Sequence, residues 1–127
     1  MFPAKLTTGV LLFVLIFMGL AACYETRKGR ERAIAHGKVL FELHCCGCHN
    51  GRRLDLARIP PNLAGIFQQP SLPSGRSATD AIVRSTVLVG RSEIMPAFKG
   101  SLSDEEIEDI IRYLHSVGPE TRLCPTN

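Results

Sequence analysis

The chain has 127 residues, enough for one domain, with 45% hydrophobic residues and a formal net charge of +3. Much of the hydrophobic content lies in one apolar run from Gly9 to Ala22, which is preceded by a single charge at Lys5. Lys5 precedes the apolar run and is counted apart from the rest of the chain, which has 14 of the 15 basic residues and 12 acidic ones. So small a surplus excludes the concentrated basic face that a nucleic-acid-binding protein needs.

The N-terminus has the features of an export signal, because a basic start and an apolar run lead to small residues before a cysteine. The run is shorter than the about 20 apolar residues that span a bilayer, and an uncleaved signal anchor is the alternative. Leu20-Ala21-Ala22-Cys23 resembles the lipobox of bacterial lipoproteins, which implies that Cys23 is acylated and anchors the mature chain to a membrane. We therefore predict a signal peptide over residues 1–22, a lipidated Cys23 with a polar tether over 23–30, and a folded domain over 31–127.

Two helices are predicted in the first part of this domain. Residues Glu31–His44 lack proline and predict a helix. Its apolar face extends into the residues that follow and consists of Ile34, Gly37, Phe41, Cys45 and Cys48. Residues 50–77 are rich in proline and glycine and therefore predict loops. Residues 79–89 predict a second helix, with Ser77 or Thr79 as its cap and Gly90 as its end.

The last helix has the clearest pattern. Ser103 and Glu106 have the spacing of a capping box, and Gly118-Pro119 ends the helix. Its apolar stripe consists of Ile107, Ile110, Ile111, Leu114 and Val117. Three or four helices joined by irregular loops make a thin scaffold for about 100 residues, so the pattern predicts an all-α domain around something large and apolar.

The segment Cys45-x-x-Cys48-His49 has the spacing of a c-type haem attachment site. Because positions i and i+3 share one face of a helical turn, both thiols can reach the vinyl groups on one side of a haem, and His49 follows as an iron ligand. A zinc site would need four cysteine or histidine ligands, and a thioredoxin-like dithiol would need a βαβ setting. The chain has no second paired motif and no strand pattern before the cysteines, so one covalent haem c is the favoured cofactor.

The surroundings of this motif resemble class I c-type cytochromes. Gly37-x-x-x-Phe41 before the cysteines is similar to the family's first helix, and Ile110–Leu114 is similar to its partner helix. The resemblance implies a cytochrome c fold, with three to four helices and loops wrapped around one covalently bound haem. Pro61–Gly65 is similar to the family's loop on the histidine side, which implies that the Pro61 carbonyl accepts a hydrogen bond from His49.

The second axial ligand is predicted from the supply of methionines. Met1 and Met18 lie in the predicted signal peptide, which leaves Met95. Glu93–Phe98 resembles the family's distal-ligand loop, which implies that Met95 binds the iron. The alternatives are a methionine that packs on the haem without bonding and three histidines, His36, His44 and His115.

An iron with histidine and methionine ligands has no open position for a substrate, so we predict a single-electron carrier without enzymatic activity or small-molecule substrate. It is predicted to be exported, in the periplasm or at the outer face of the cell membrane, and to exchange electrons with redox proteins. Two alternatives stay open. The chain could be a haem-bearing subunit of a larger respiratory or dehydrogenase complex, or a haem enzyme or gas sensor whose Met95 is displaceable.

Basic residues in segments expected to border the haem could form a docking face for an acidic partner, or they could be dispersed solubilising charge. They are Lys38, Arg52, Arg53, Arg58, Arg91 and Lys99.

Two thiols, Cys46 and Cys124, are left over after the lipid and the haem. An even pair of cysteines in an oxidising compartment invites a disulfide. On a helical turn, Cys46 points about 100° away from Cys45 and therefore away from the haem. A Cys46–Cys124 disulfide is one possibility, and two free thiols are the other.

Overall fold

The computed structural model describes residues 4–49, 59–72, 74–91 and 94–125. Four α-helices form in them, together with a single 3-10 turn at Ile66–Gln68. The α-helices are α1 (Ala4–His44), α2 (Cys46–His49), α3 (Asp80–Val89) and α4 (Asp104–Ser116). No β-strand forms within those ranges, and the predicted all-α class is confirmed. The chain divides into two compact units, residues 1–32 and residues 33–127.

Helix α1 is longer than the predicted helix, because it includes residues 24–30 and does not begin at Glu31. Contacts between residues four apart support this extension. The Arg27 guanidinium lies 3.1 Å from the Glu31 carboxylate, and Lys28 Nζ lies 5.7 Å from the centre of the Tyr24 ring. The residues predicted as a polar tether are therefore helical in the structure.

The first part of α1 is apolar and exposed, with Phe17 at 66% exposure. The helix is long and apolar enough to cross a membrane, a property that export signals near an N-terminus share. Cys23 lies on this helix with its thiol exposed. The domain boundaries at residues 1–22, 23–30 and 31–127 concern processing and stay predictions.

Helices α1 and α4 cross at Gly37. A Cβ at this position would overlap the backbone carbonyl of Asp109 and lie 2.9 Å from the nitrogen of Ile110. One turn further on, the rings of Phe41 and Tyr113 pack with their centres 5.7 Å apart. The crossing therefore depends on a residue without a side chain, flanked by an aromatic pair.

Polar contacts join α3 to α4 in an antiparallel arrangement. Arg84, in the middle of α3, pairs with Glu108 and with Asp104, whose Oδ1 lies 2.9 Å from the guanidinium. At the other end, His115 Nε2 lies 2.7 Å from Asp80 Oδ1. The start of α3 therefore lies beside the end of α4, and the middle of α3 lies beside the first half of α4. These pairs fix the register of the two helices.

The predicted helix ends of α3 and α4 are confirmed. The Thr79 hydroxyl accepts the Ile82 N–H at the start of α3, and Gly90 follows its last residue. Ser103 and Glu106 form the full capping box at the start of α4. The predicted apolar stripe is buried throughout, at Ile107, Ile110, Ile111 and Leu114 in α4 and at Val117 directly after it.

Candidate functional site

The two attachment cysteines lie on one helical turn where α1 passes into α2. The N–H of Cys45 donates to the Phe41 carbonyl at 2.9 Å, and the N–H of His49 donates to the Cys45 carbonyl at 2.8 Å. Cys48 N–H also bonds to Cys45 at 3.1 Å. Since the turn is hydrogen-bonded throughout, both thiols, three residues apart, lie on one face.

The environment of Cys45 keeps its sulfur protonated. Burial, and secondarily the neighbouring Cys48, raise the pKa of the Cys45 thiol to about 12. Because the thiolate is the reactive form in disulfide exchange, a thiol with this pKa is a poor partner in such exchange at neutral pH.

His49 is oriented by a backbone carbonyl from another segment. Its Nδ1 lies 2.8 Å from the Pro61 oxygen. A carbonyl can only accept, so Nδ1 carries the proton and Nε2 has the free lone pair that binds a metal. Burial lowers the pKa of His49, although the Pro61 bond opposes the shift. The ring is therefore held as the neutral tautomer that an iron ligand requires.

The loop that supplies Pro61 is fixed by its own contacts. The Asn62 side-chain oxygen accepts the Ala64 N–H at 3.0 Å, which closes a local turn. Gly65 follows with φ of 65°, and a Cβ there would lie 2.7 Å from the nitrogen of Pro119. The loop therefore packs against the segment that follows α4.

Cys46 and Cys124 are joined by a disulfide in the structure, with Cα atoms 5.5 Å apart. Cys46 is 8% exposed. Its partner Cys124 lies beside the backbone of His49, with Cys124 Sγ 3.9 Å from the His49 oxygen. Leu123 is buried at 5% exposure. The C-terminal segment thus covers the backbone side of the attachment turn.

Met95 lies in a loop that folds back on the end of α3. We call residues 90–91 and 94–99 the Met95 loop. Backbone hydrogen bonds of 2.9 and 3.0 Å pair Arg91 with Met95. The N–H groups of Phe98 and Lys99 bond to carbonyls in the last turn of α3, at 3.0 and 3.2 Å. The end of a helix, which leaves carbonyls without partners, therefore anchors the loop.

Gly90 allows the close approach of this loop. Its φ is 74°, and a Cβ there would overlap the Met95 carbonyl and lie 2.8 Å from the nitrogen of Ala97. A side chain at position 90 would therefore move the loop that holds Met95 and strain its own backbone.

Of the three competing histidines, two bond to carboxylates, and His44 makes a ring contact with the Met95 loop. His36 Nδ1 lies 2.9 Å from Asp109, and the His44 ring packs edge-on against Phe98, with centres 6.2 Å apart. His115 stacks on Phe67, with ring centres 3.7 Å apart, and also bonds to Asp80. Among the described residues, His36 and His115 therefore have carboxylate partners for a ring nitrogen.

The sequence alone did not reveal the contacts of His36 and His115. His115 is exposed on α4, and its ring stacks on Phe67 from the loop that follows Pro61. Asp109 is 6% exposed beside Gly37, and both His36 and Arg112 bond to it. A buried acid in the middle of an apolar stripe was the signal that could have indicated these contacts.

A zinc site finds no support in the part of the chain that the structure describes. No group of three or more histidine, cysteine or acidic side chains there could hold a metal ion. The donor set does fit a haem, because two free thiols share a turn with a histidine whose Nε2 is unprotonated. Cys45, Cys48, His49 and Met95 are the residues that could hold it.

The predicted docking residues are only partly visible. Arg52, Arg53 and Arg58 lie outside the described residues. Lys38 lies 3.8 Å from Glu42 one turn along α1, which offsets its charge. Arg91 and Lys99, on the Met95 loop, are exposed.

Known proteins with similar sequences identify the family. Residues 32–114 match the family model described as cytochrome C oxidase, cbb3-type, subunit III. Cytochrome c6 of Synechocystis sp. is 30% identical over 112 residues, which cover 87% of each chain. A cytochrome c6-like protein of Nostoc sp. is 30% identical over 105 residues, covering 81% of this chain and 86% of the relative.

A third relative is much longer than this chain. The cbb3-type cytochrome c oxidase subunit FixP of Bradyrhizobium diazoefficiens is 30% identical over 94 residues, which are 73% of this chain but 30% of FixP. No solved structure matches the chain. The family match and the cytochrome c6 relatives together show that this chain belongs to the c-type cytochromes of the cbb3-type subunit III family, with a cytochrome c fold and covalently bound haem c.

Proposed function

We propose that the protein is a single-electron carrier whose haem is attached through Cys45 and Cys48, with His49 and Met95 as the axial ligands. Haem-based electron transfer and redox protein partners follow from the family. The ligand set is our proposal. The observation that carries it is the bond from His49 Nδ1 to the Pro61 oxygen, 2.8 Å long, next to two free thiols on one turn.

His49 is suited to the proximal role for two reasons. The Pro61 carbonyl fixes the tautomer and the plane of the ring, which strengthens Nε2 as a donor. Burial lowers the pKa of His49, so protons compete less for the same nitrogen.

Met95 is suited to be the second ligand because of the position of its loop and because two of the competing donors have other partners. Its loop is anchored to α3 by backbone bonds and by the close approach at Gly90. Two of the three histidines that could replace it, His36 and His115, bond to carboxylates. A thioether ligand favours ferrous over ferric iron and therefore raises the reduction potential.

The protein is then a carrier and not an enzyme, because both axial positions are filled by side chains. Bound haem supplies one-electron chemistry, and the chain contributes fixed ligands that change little between the two oxidation states. Arg91 and Lys99 are exposed and basic, and they support docking to an acidic redox partner.

We place the protein outside the cytoplasm, anchored through a lipid on Cys23. The apolar exposed run before Leu20-Ala21-Ala22-Cys23 supports export, and the exposed thiol of Cys23 is accessible for acylation. Mass spectrometry of the membrane-extracted protein should find an acylated N-terminus at Cys23. A chain that retains residues 1–22 would instead be held by an uncleaved anchor.

A second candidate function is that of a haem-bearing subunit in a larger respiratory complex. The match of residues 32–114 to a cbb3-type subunit III family and the similarity to FixP favour it. Gentle extraction from membranes decides between the two. A free carrier elutes alone, and a subunit elutes with its complex.

Optical spectroscopy of the haem-loaded protein tests the ligand set. The wild type should show the weak far-red band of methionine-bound ferric haem and should bind CO slowly. Met95→Ala should lose the band, bind CO rapidly and have a lower potential. His44→Ala, which changes a nearby potential ligand, is the control and should keep the wild-type spectrum. Rapid CO binding by the wild type would instead indicate an enzyme or sensor with a displaceable Met95.

A further inference from the structure

The attachment segment contains one thiol more than the haem can use. Cys46 lies directly after Cys45 and two residues before Cys48, so three sulfurs occur within four residues. In an oxidising compartment a free thiol at Cys46 can pair with Cys48, and that bond removes an attachment thiol. A chain with this motif needs a way to remove the extra thiol without affecting the other two.

The C-terminal segment provides such a way. The disulfide spans 78 residues and joins Cys46 to Cys124, which leaves Cys45 and Cys48 as free thiols. Cys46 is 8% exposed, whereas Cys45 and Cys48 are half-buried on another face of the turn. The separation of faces follows from the helical turn, on which adjacent residues point about 100° apart.

The position of Cys124 is fixed by contacts that do not involve its sulfur. Leu123 is 5% exposed in the same core as Phe41 and the apolar stripe of α4. Before it, Thr121 N–H donates to the Gly118 carbonyl at 3.0 Å, and Gly118 N–H donates to the Thr121 hydroxyl at 3.1 Å. A turn and a buried leucine thus hold Cys124 next to Cys46 by contacts other than the S–S bond.

We propose that Cys124 guards the haem-attachment site by pairing with Cys46, so that Cys45 and Cys48 are the only thiols available for haem. This inference depends on the attachment residues in the proposed function. It assigns to the C-terminal segment a role in maturation, in addition to any contribution to the stability of the fold.

Maturation then has two chemical steps, the formation of the Cys46–Cys124 disulfide and the attachment of haem. A disulfide-bearing oxidant of the exported compartment accepts two electrons and two protons from Cys46 and Cys124, becomes a dithiol, and leaves one S–S bond in the chain. At attachment, Cys45 and Cys48 each lose an S–H bond and gain an S–C bond to a vinyl carbon. The hydrogen goes to the neighbouring vinyl carbon, so this second step needs no oxidant.

Two variants, compared with the wild type, separate a guard from a simple cross-link. The full chain is expressed with its export signal and haem-maturation machinery, as wild type, Cys124→Ser and the double variant Cys46→Ser/Cys124→Ser. The readouts are haem per protein and a peptide map, under non-reducing conditions, of which cysteines carry haem or a disulfide.

Cys124→Ser should lower the haem-loaded fraction several-fold and yield chains with Cys46 bonded to Cys48 or to a second chain. The double variant lacks the same disulfide but also lacks the extra thiol, and it should recover most of the wild-type loading. Equal loading in Cys124→Ser and wild type would overturn the proposal. So would a double variant as poorly loaded as Cys124→Ser, because the disulfide would then act only as a cross-link.

The wild-type peptide map keeps this proposal separate from the proposed function. Haem found elsewhere than on Cys45 and Cys48 would contradict the assignment of the attachment site itself. Haem on both of these residues, together with unchanged loading in the variants, would contradict the guard alone.

Discussion

The two segments that carry the proposed iron ligands are held in different ways. His49 is fixed by parts of the chain distant in sequence, since its ring bonds to Pro61 and its backbone lies beside Cys124, whose disulfide spans 78 residues. Met95 is fixed by backbone hydrogen bonds within its own loop and to the end of α3. The histidine side therefore depends on the assembled fold, and the methionine side depends mainly on local geometry.

This difference predicts which side opens first. A cross-link that closes 78 residues contributes about 4 kcal/mol in the loop-entropy treatment. The few hydrogen bonds that anchor the Met95 loop contribute about 1 kcal/mol each. Loss of methionine ligation should thus precede unfolding, whereas loss of the histidine should accompany it.

The largest effect is expected from removing His49. His49→Ala removes both an iron ligand and the bond to Pro61, so covalently loaded protein should fall to near zero. Met95→Ala should keep the haem, because both thioethers and His49 are intact. Haem per protein in purified material measures the difference, and similar loading in the two variants would contradict the contrast between the two sides.

The next largest effect tests the helix crossing on which the histidine side depends. Gly37→Ala introduces a Cβ into the Asp109 backbone, so we expect destabilisation of about 3 kcal/mol. Gly29→Ala is the matched control, because it lies in the same helix with nothing within 4 Å of its Cβ. The control should be neutral or stabilised by about 1 kcal/mol through helix propensity. Denaturant unfolding of both haem-loaded variants measures their free energies of unfolding. Equal values would contradict the role assigned to Gly37 at the helix crossing.

A glycine substitution also perturbs the methionine side. Gly90→Ala combines a φ of 74° with a clash against the Met95 loop, so we expect about 1–3 kcal/mol of destabilisation and faster CO binding. Gly75→Ala has a similar φ of 77° but open space around its Cβ. It should carry the backbone strain and leave CO binding unchanged. If both variants bound CO equally fast, the close approach of the Met95 loop to Gly90 would not be what holds Met95.

The smallest effect concerns the cap that follows the Met95 loop. The backbone N–H of Ser103 donates to Glu106 and lowers the pKa of this carboxyl below 4.5. A lowered pKa in the folded state means that the stabilisation is complete above pH 4.5 and is lost as the pH falls through the folded value. Glu106→Gln should therefore lower Tm slightly at neutral pH, and the difference from wild type should shrink in acid.

The control for the cap is Glu105→Gln, which removes the same charge from the same turn of α4 but leaves the capping box intact. It should change Tm less than Glu106→Gln at neutral pH. A difference between Glu106→Gln and wild type that grew in acid would contradict the assigned cause.

The parts of the fold predicted from sequence are those decided within a few residues. Thr79, Ser103 and Glu106 cap their helices as expected, because a cap depends on groups three residues apart. The α4 stripe was predicted by its period and is buried. The start of α1 was predicted too late, because the pairs at Arg27 and Lys28 stabilise a helix that the polar composition did not indicate.

At the site, the sequence by itself determined the donors. Two cysteines and a histidine at fixed spacing are local chemistry, and a single methionine outside the predicted signal peptide left one candidate for the second ligand. The family resemblance already implied the bond from His49 to Pro61, which the structure contains. Only the tertiary structure decided between a Cys46–Cys124 disulfide and two free thiols, and only it gave the close approach of Gly37 to Asp109. The reason is physical, since spacing along a helix fixes neighbours within a turn, whereas contacts across long loops depend on how the whole core packs.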